Sequence, residues 1–237
     1  GKKLDPMDAA SRSYVVLDPP QADFSRLLRA DGRRTERLRA VRERLATPIH
    51  FLRGNHEDFQ YLSSLPLDET SRTAKVDPFD LFRYVPDGTV LQFGNLRITF
   101  LGGIETEKPD PRSIDQDAYA SLMDLGAGSF DVLATHDPSY GIGIGYRGQM
   151  GGSRLVTSLI EHTQPTLHLS GHVHHLNGQR DYGSTRSWSL DGLISSVKWH
   201  PEENGFRMGC LAVLDTDTWF LQPITDSWLH DFDTGVS

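Results

Sequence analysis

The chain has 237 residues, a formal net charge of −8 and a pI near 5.6. That length suits a single α/β domain spanning residues 1–237. The acidic balance argues against a broad electrostatic footprint for nucleic acid, although bound divalent cations would reverse the local field. Hydrophobic residues at 37% supply a core and exclude disorder as a whole-chain state. A single cysteine, Cys210, excludes an intrachain disulfide and reads as a buried small hydrophobe in a strand. No apolar run reaches the roughly 18 residues of a membrane span, and the start carries no secretory pattern. The expected setting is soluble and cytoplasmic, with no membrane partner.

In chain order, Tyr14 to Leu17 reads as a short strand broken by Pro19-Pro20. Residues 24–46 read as helical, with Leu38, Val41 and Leu45 at helical spacing and a possible interruption at Asp31-Gly32. Eight arginines lie between Arg26 and Arg44, and they read as a solvated helix face rather than a phosphate-binding one. Ile49 to Leu52 is a strand. Residues 90–93 and 96–101 flank Gly94-Asn95, a two-residue hairpin signal. Ile114, Ala118, Leu122 and Leu125 predict a helix with Gly126 as its C-cap. Phe130 to Ala134 is a buried strand, Ser153 caps a helix stopped before Pro165, and Thr166 to Ser170 is another strand. A hairpin is expected from 209–214 and 218–222 around Asp215-Thr216-Asp217. Strands alternating with helices through the middle, with hairpins at the flanks, predict a mixed-sheet α/β domain.

Three strand-to-loop junctions carry the chemistry. They are Arg53-Gly54-Asn55-His56-Glu57, Thr135-His136-Asp137 and Gly171-His172-Val173-His174-His175. Ligands of α/β sheets gather beyond the carboxyl ends of strands, so these loops are expected to converge. They would bring together imidazoles and one carboxamide. Imidazole suits Zn, Fe, Ni and Cu, and amide or carboxylate oxygen adds tolerance for Mn and Mg. The absence of thiolates excludes a cysteine-rich structural zinc. For His172 and His174 to point the same way, the backbone between them is expected to stay extended. Taken singly, each loop also reads as an ordinary turn with surface histidines. His50, His162, His168, His200 and His230 read as structural or solvated, and His175 as a neighbour of the site. The run Gly141 to Gly148 reads either as a mobile loop bringing Tyr146 and Arg147 to a substrate or as a plain flexible connection.

The segments Gly54-Asn55-His56-Glu57, Thr135-His136 and Gly171-His172-Val173-His174 resemble, in order, the later motifs of calcineurin-like metallophosphoesterases. The resemblance covers residues of about 38 to 185, with 186–237 left for closing strands and a tail. It implies a four-layer α-β-β-α sandwich with two mixed sheets, and a dinuclear site for Mn, Fe, Zn or Ni. It implies that Asn55, His136 and His172 ligate one ion and His174 the other. His56 would serve as the proton donor to the leaving oxygen or as a positive group on the transition state. The reaction implied is hydrolysis of a phosphomonoester or phosphodiester by a metal-activated hydroxide. The substrate would be a phosphorylated small molecule, or a nucleotide or nucleic-acid phosphodiester. The likeness extends equally to lariat-debranching, nuclease-like members and to small bacterial phosphatases. Two earlier family motifs, aspartate-x-histidine and glycine-aspartate-x-x-aspartate, have no counterpart before Gly54, and Asp18 and Asp23 are the candidate substitutes. Amino-terminal strands are therefore expected to be missing or rearranged, leaving an open sheet edge for a partner segment or a second subunit. The alternative is a non-catalytic scaffold that keeps the fold with an incomplete metal site.

Overall fold

A computed structural model describes residues 32–142, 150–174, 178–193 and 206–231. The expected strand at 14–17, Asp18, Asp23, the run 143–148, His175 and His200 lie outside the described residues.

The centre is a six-stranded mixed sheet. Its strands are β4 (Val90–Phe93), β5 (Leu96–Leu101), β6 (Val132–Thr135), β7 (Leu167–Ser170), β8 (Gly178–Tyr182) and β9 (Thr185–Ser189), in the order β4-β5-β6-β7-β9-β8. β5, β6, β7 and β9 run parallel, and antiparallel β4 and β8 close the edges. The β4–β5 hairpin turns at Gly94-Asn95 as expected, with Gly94 at φ 58°. A second mixed sheet joins β1 (Ile49–Phe51), β2 (Ala74–Lys75) and β3 (Phe82–Tyr84) in the order β1-β3-β2. The expected closing hairpin is β10 (Ala212–Asp215) with β11 (Phe220–Pro223). Cys210 precedes β10 in a turn and is half-buried, not a buried strand residue.

The period of two sorts each central strand between two cores. On one face Leu101 and Leu133 pack with Leu122, Val156, Leu159 and Ile160 of the helices α3 (Gln116–Met123) and α4 (Arg154–Thr163). On the other face Val132, Leu167 and Trp188 pack against Leu214 and Leu221 of the closing hairpin. The layers are thus helices, six-stranded sheet and hairpin, the α/β sandwich expected. A helical layer outside the hairpin is not found among the described residues. The short α2 (Phe59–Ser64) packs Leu62 on Ala74, Val76 and Tyr84 of the smaller sheet.

Local signals explain the helix ends. Ser153 accepts from Val156 N–H at the start of α4, and Gln164 ends it in the left-handed region before Pro165. Asp115 caps α3 through Ala118 N–H. That helix stops at Asp124, so Gly126 is not its C-cap, and Ile114 lies one residue before the N-cap although it is buried. The first helix, α1 (Gly32–Arg44), does not bury the expected apolar stripe, since Val41 is 48% exposed. Among the described residues no helix is long and apolar enough to cross a membrane.

Candidate metal centre

Backbone hydrogen bonds tie the three loops to one another. Gly103 N–H donates to the Arg53 carbonyl (3.3 Å), His136 N–H to Leu101 (3.2 Å), and Gly171 N–H to His136 (3.3 Å). The loops leave the carboxyl ends of β1, β6 and β7, and β6 and β7 are neighbours in register. Through the end of β5 these hydrogen bonds bring together residues 81 apart in sequence: His136 Nε2 lies 3.0 Å from Asn55 Oδ1. The His136 and His172 rings stand 4.8 Å apart and tilted by 54°. His174 and His56 lie close enough for their charges to act on both of these imidazoles.

Burial pushes the His136 imidazole down to about 3, and the neighbouring His172, His174, His56 and Arg53 act in the same direction. His172 is lowered by burial, then by His174 and His56. Both are therefore neutral at neutral pH and carry free lone pairs, the form that ligates a cation. His172 (φ 67°) and His174 (φ 53°) both sit in the left-handed region. The expected extended His-x-His is thus corrected: a bend at 172–173 turns the chain instead. Left-handed backbone costs a non-glycine residue on the order of 1–3 kcal/mol and gathers at functional sites.

The donor set can be tested against a divalent ion. Two ligand atoms at right angles on an ion, each about 2.1 Å from it, are about 3.0 Å apart. The hydrogen bond that His136 Nε2–H donates to Asn55 Oδ1 already holds that separation, with the Nε2 proton the one an ion would displace. Among the described residues no three His, Cys, Asp or Glu side chains form a group able to hold a metal. Asn55 is not of those residue types, and Asp18 and Asp23 lie outside the described residues. Asn55, His136 and His172 suit an ion in donor type, and of the three Asn55 and His136 meet at a separation two ligands could share. For a second ion the described residues offer His174 alone among the candidates.

Several supporting residues were not legible in sequence. Arg53, 8% exposed, donates through Nε to Asp87 (2.7 Å), and through its two terminal nitrogens to the carbonyls of Pro111 and Ser113. It locks the residue preceding Gly54-Asn55-His56. Glu57 reaches back to accept from Gly54 N–H (3.1 Å), and Asp58 caps α2 through Tyr61 N–H. A Cβ on Gly54 would stand 2.9 Å from His136 Cε1, so glycine there sets how closely the two loops approach. Asp137 accepts from Glu105 N–H (2.9 Å), and Glu105 in turn accepts from Ser153 Oγ and Leu155 N–H at the start of α4. Burial raises the Asp137 carboxyl to about 6. The only prior signal for these roles was an arginine or acid immediately beside a motif residue.

A family profile described as calcineurin-like phosphoesterase matches residues 10–176, which takes in the stretch before Gly54. No curated protein sequence matches the chain significantly. Among solved structures, one is 16% identical with a TM-score of 0.45, covering 63% of this chain, and this chain spans 56% of that one. The protein TT1561 of Thermus thermophilus is 17% identical with a TM-score of 0.45, covering 79% of this chain and 78% of that one. At those scores the likeness adds nothing to the geometry of the site.

Proposed function

The chain belongs to the calcineurin-like phosphoesterases, and from that premise we propose that it hydrolyses a phosphoester at the site formed by Asn55, His56, His136, His172 and His174. The family's activity is metal-dependent phosphoester hydrolysis, typically with two divalent ions. The observation that carries the proposal is the meeting of Asn55 and His136 at 3.0 Å, with the neutral His172 beside them. Asn55, His136 and His172 would hold one ion, and His174 would contribute to a second. When bound, such ions supply Lewis acidity and an activated water nucleophile.

The chain's own groups do the rest. His136 and His172 stay neutral because burial, and then the charges of neighbouring imidazoles, disfavour their cations, so protons compete weakly for the site near neutrality. His56 is exposed at the rim, beside His136 and His172. From there it donates a proton to the leaving oxygen, and an imidazole suits that task near neutral pH. Arg53 and Glu57 hold the turn that aims Asn55 and His56. Phosphoryl transfer is governed by positioning and charge neutralisation, so these anchors matter as much as the proton donor.

The test is turnover of 4-nitrophenyl phosphate and bis(4-nitrophenyl) phosphate with added Mn²⁺ or Ni²⁺, together with metal content after gel filtration. His172→Ala should lose both bound metal and turnover. His56→Ala should keep its metal and lose roughly 10²-fold or more in kcat, the usual scale of general acid catalysis. Equal metal loss in the two variants would contradict the division of roles. Metal binding without turnover of either ester would favour a scaffold that keeps only the fold.

A further inference from the structure

We propose that the cavity beside His172 holds the nucleoside of a nucleoside monophosphate ester, and that its acidic rim turns away polyphosphates and polynucleotides. This rests on the phosphoesterase reading for the position of the phosphate. The cavity is about 420 Å³ and is lined by the segment Ile104 to Glu107 together with Asp137, Tyr140, Arg154 and His172. That volume lies at the small end of ligand pockets, enough for one nucleoside.

Two features of the walls select the occupant. First, the Arg154 guanidinium lies 4.0 Å over the Tyr140 ring. Arg154 is exposed and follows directly on the cap of α4, so its backbone is fixed. The pair is a ready-made cation–π contact, and a planar base adds to the exposed guanidinium as a further layer. Second, the segment Ile104 to Glu107 is rich in acceptors. Glu105 Oε2 is already engaged by Ser153 Oγ and Leu155 N–H, and Thr106 Oγ1 by Lys108 and Ser113. Glu107 is the exposed carboxylate remaining on that wall, and it takes hydrogen bonds from ribose hydroxyls or an exocyclic amine. A plain aryl group would cover Glu107 without pairing it, at a desolvation cost. A second phosphate would meet the carboxylates of Glu105, Glu107 and Asp137 against Arg154, the one cation among the described residues lining the cavity, and like charges there repel it. A nucleoside supplies what this wall asks for: one flat ring, several donors and no further charge.

The experiment is calorimetric binding to the full chain with Mn²⁺ present, comparing AMP, ribose 5-phosphate and ADP, with turnover of 4-nitrophenyl phosphate and bis(4-nitrophenyl) phosphate run in parallel. AMP should bind at least tenfold more tightly than ribose 5-phosphate, and ADP no more tightly than AMP. Arg154→Ala should remove the AMP preference, and the surface charge reversal Glu107→Lys should make ADP the tighter ligand. Equal binding of AMP and ribose 5-phosphate by the wild type would overturn the proposal, as would an AMP preference that survives both Arg154→Ala and Tyr140→Ala. Turnover of either ester with base-independent binding would sink the cavity reading alone. Base-dependent binding without turnover would sink the hydrolytic reading and leave the cavity reading standing.

Discussion

His168 is the most deeply embedded polar group near the site. It is fully buried on β7, between Thr135 Oγ1 (2.8 Å from Nε2) and Ser187 Oγ (2.6 Å from Nδ1). Thr135 Oγ1 donates to the Asp137 carbonyl, so it accepts from His168 Nε2–H, and Nδ1 accepts from Ser187. The imidazole thereby supports the residues on either side of His136 without touching His136 itself. Burial pushes it down to about 3 from an ordinary 6.5. Below about 6.5 the unfolded chain takes up a proton that the native state refuses, so this residue withdraws stability as pH falls from about 6.5 toward 3. Above 6.5 it contributes no pH dependence. Asp137, raised from 3.8 to about 6, works in the opposite sense between those values, so the comparison must be with a variant. His168→Leu should cost about 1–3 kcal/mol at pH 7, by leaving Thr135 and Ser187 without their partner. It should also flatten the fall in stability between pH 6.5 and 4.5. Urea unfolding at pH 7.0, 5.5 and 4.5 measures both; an unchanged pH slope would remove His168 from this account.

At the scale of elements, the site depends on how closely the segment after β1 meets the end of β5. Gly102 follows β5 directly, and a Cβ there would lie 2.6 Å from the Arg53 carbonyl oxygen, a backbone atom that cannot step aside. The same junction is pinned by the Arg53–Asp87 ion pair, with Gly102 N–H as a second donor to Asp87 (2.7 Å). Desolvation raises the Asp87 carboxyl and Arg53 opposes that rise, so the pair stands or falls together. Arg53→Met should cost about 3–5 kcal/mol by stranding a buried carboxylate, whereas Arg53→Met with Asp87→Leu should recover much of it. Equilibrium unfolding decides this: equal losses in the single and double variants would show that the junction is held by packing rather than by the pair. Helix α4 contributes differently, presenting its first turn to the cavity while Glu105 and Ser153 satisfy its free N–H groups.

For the whole molecule, the candidate metal centre bridges two sheets. Asn55 follows β1 of the three-stranded sheet, and His136 and His172 follow β6 and β7 of the six-stranded one. An ion shared among these residues binds the native state and has no preformed site in the unfolded chain. At a hundredfold excess over its dissociation constant it would add about 2.7 kcal/mol. Saturating Mn²⁺ should therefore raise the melting temperature by several degrees, and EDTA should reverse the rise. In His136→Ala the Mn²⁺ effect should vanish; a rise that persists there would place the stabilising ion elsewhere.

How far the sequence reached follows from the range of each interaction. The β4–β5 hairpin at Gly94-Asn95, the Ser153 cap, the stop before Pro165 and the closing hairpin were all legible, because each is set by residues within a few positions of one another. The five site residues were legible as types at strand ends. That their loops converge was expected from the strand ends, but the distances at which they meet were not, since these depend on β6 lying beside β7 and on hydrogen bonds between loops. The same limit hid the Arg53–Asp87 lock, 34 residues apart, and the His168 relay through strand neighbours. The bend at His172 also escaped, because nothing in the residue types marks a left-handed histidine, although Val173 N–H closes it locally on the Gly171 carbonyl (2.8 Å). By itself the sequence determined the class of chemistry, through which donors stand at the ends of which strands. Only the tertiary structure decided which donors share a point, why His136 and His172 stay neutral, and which walls flank them, because burial and through-space approach belong to no single stretch of chain.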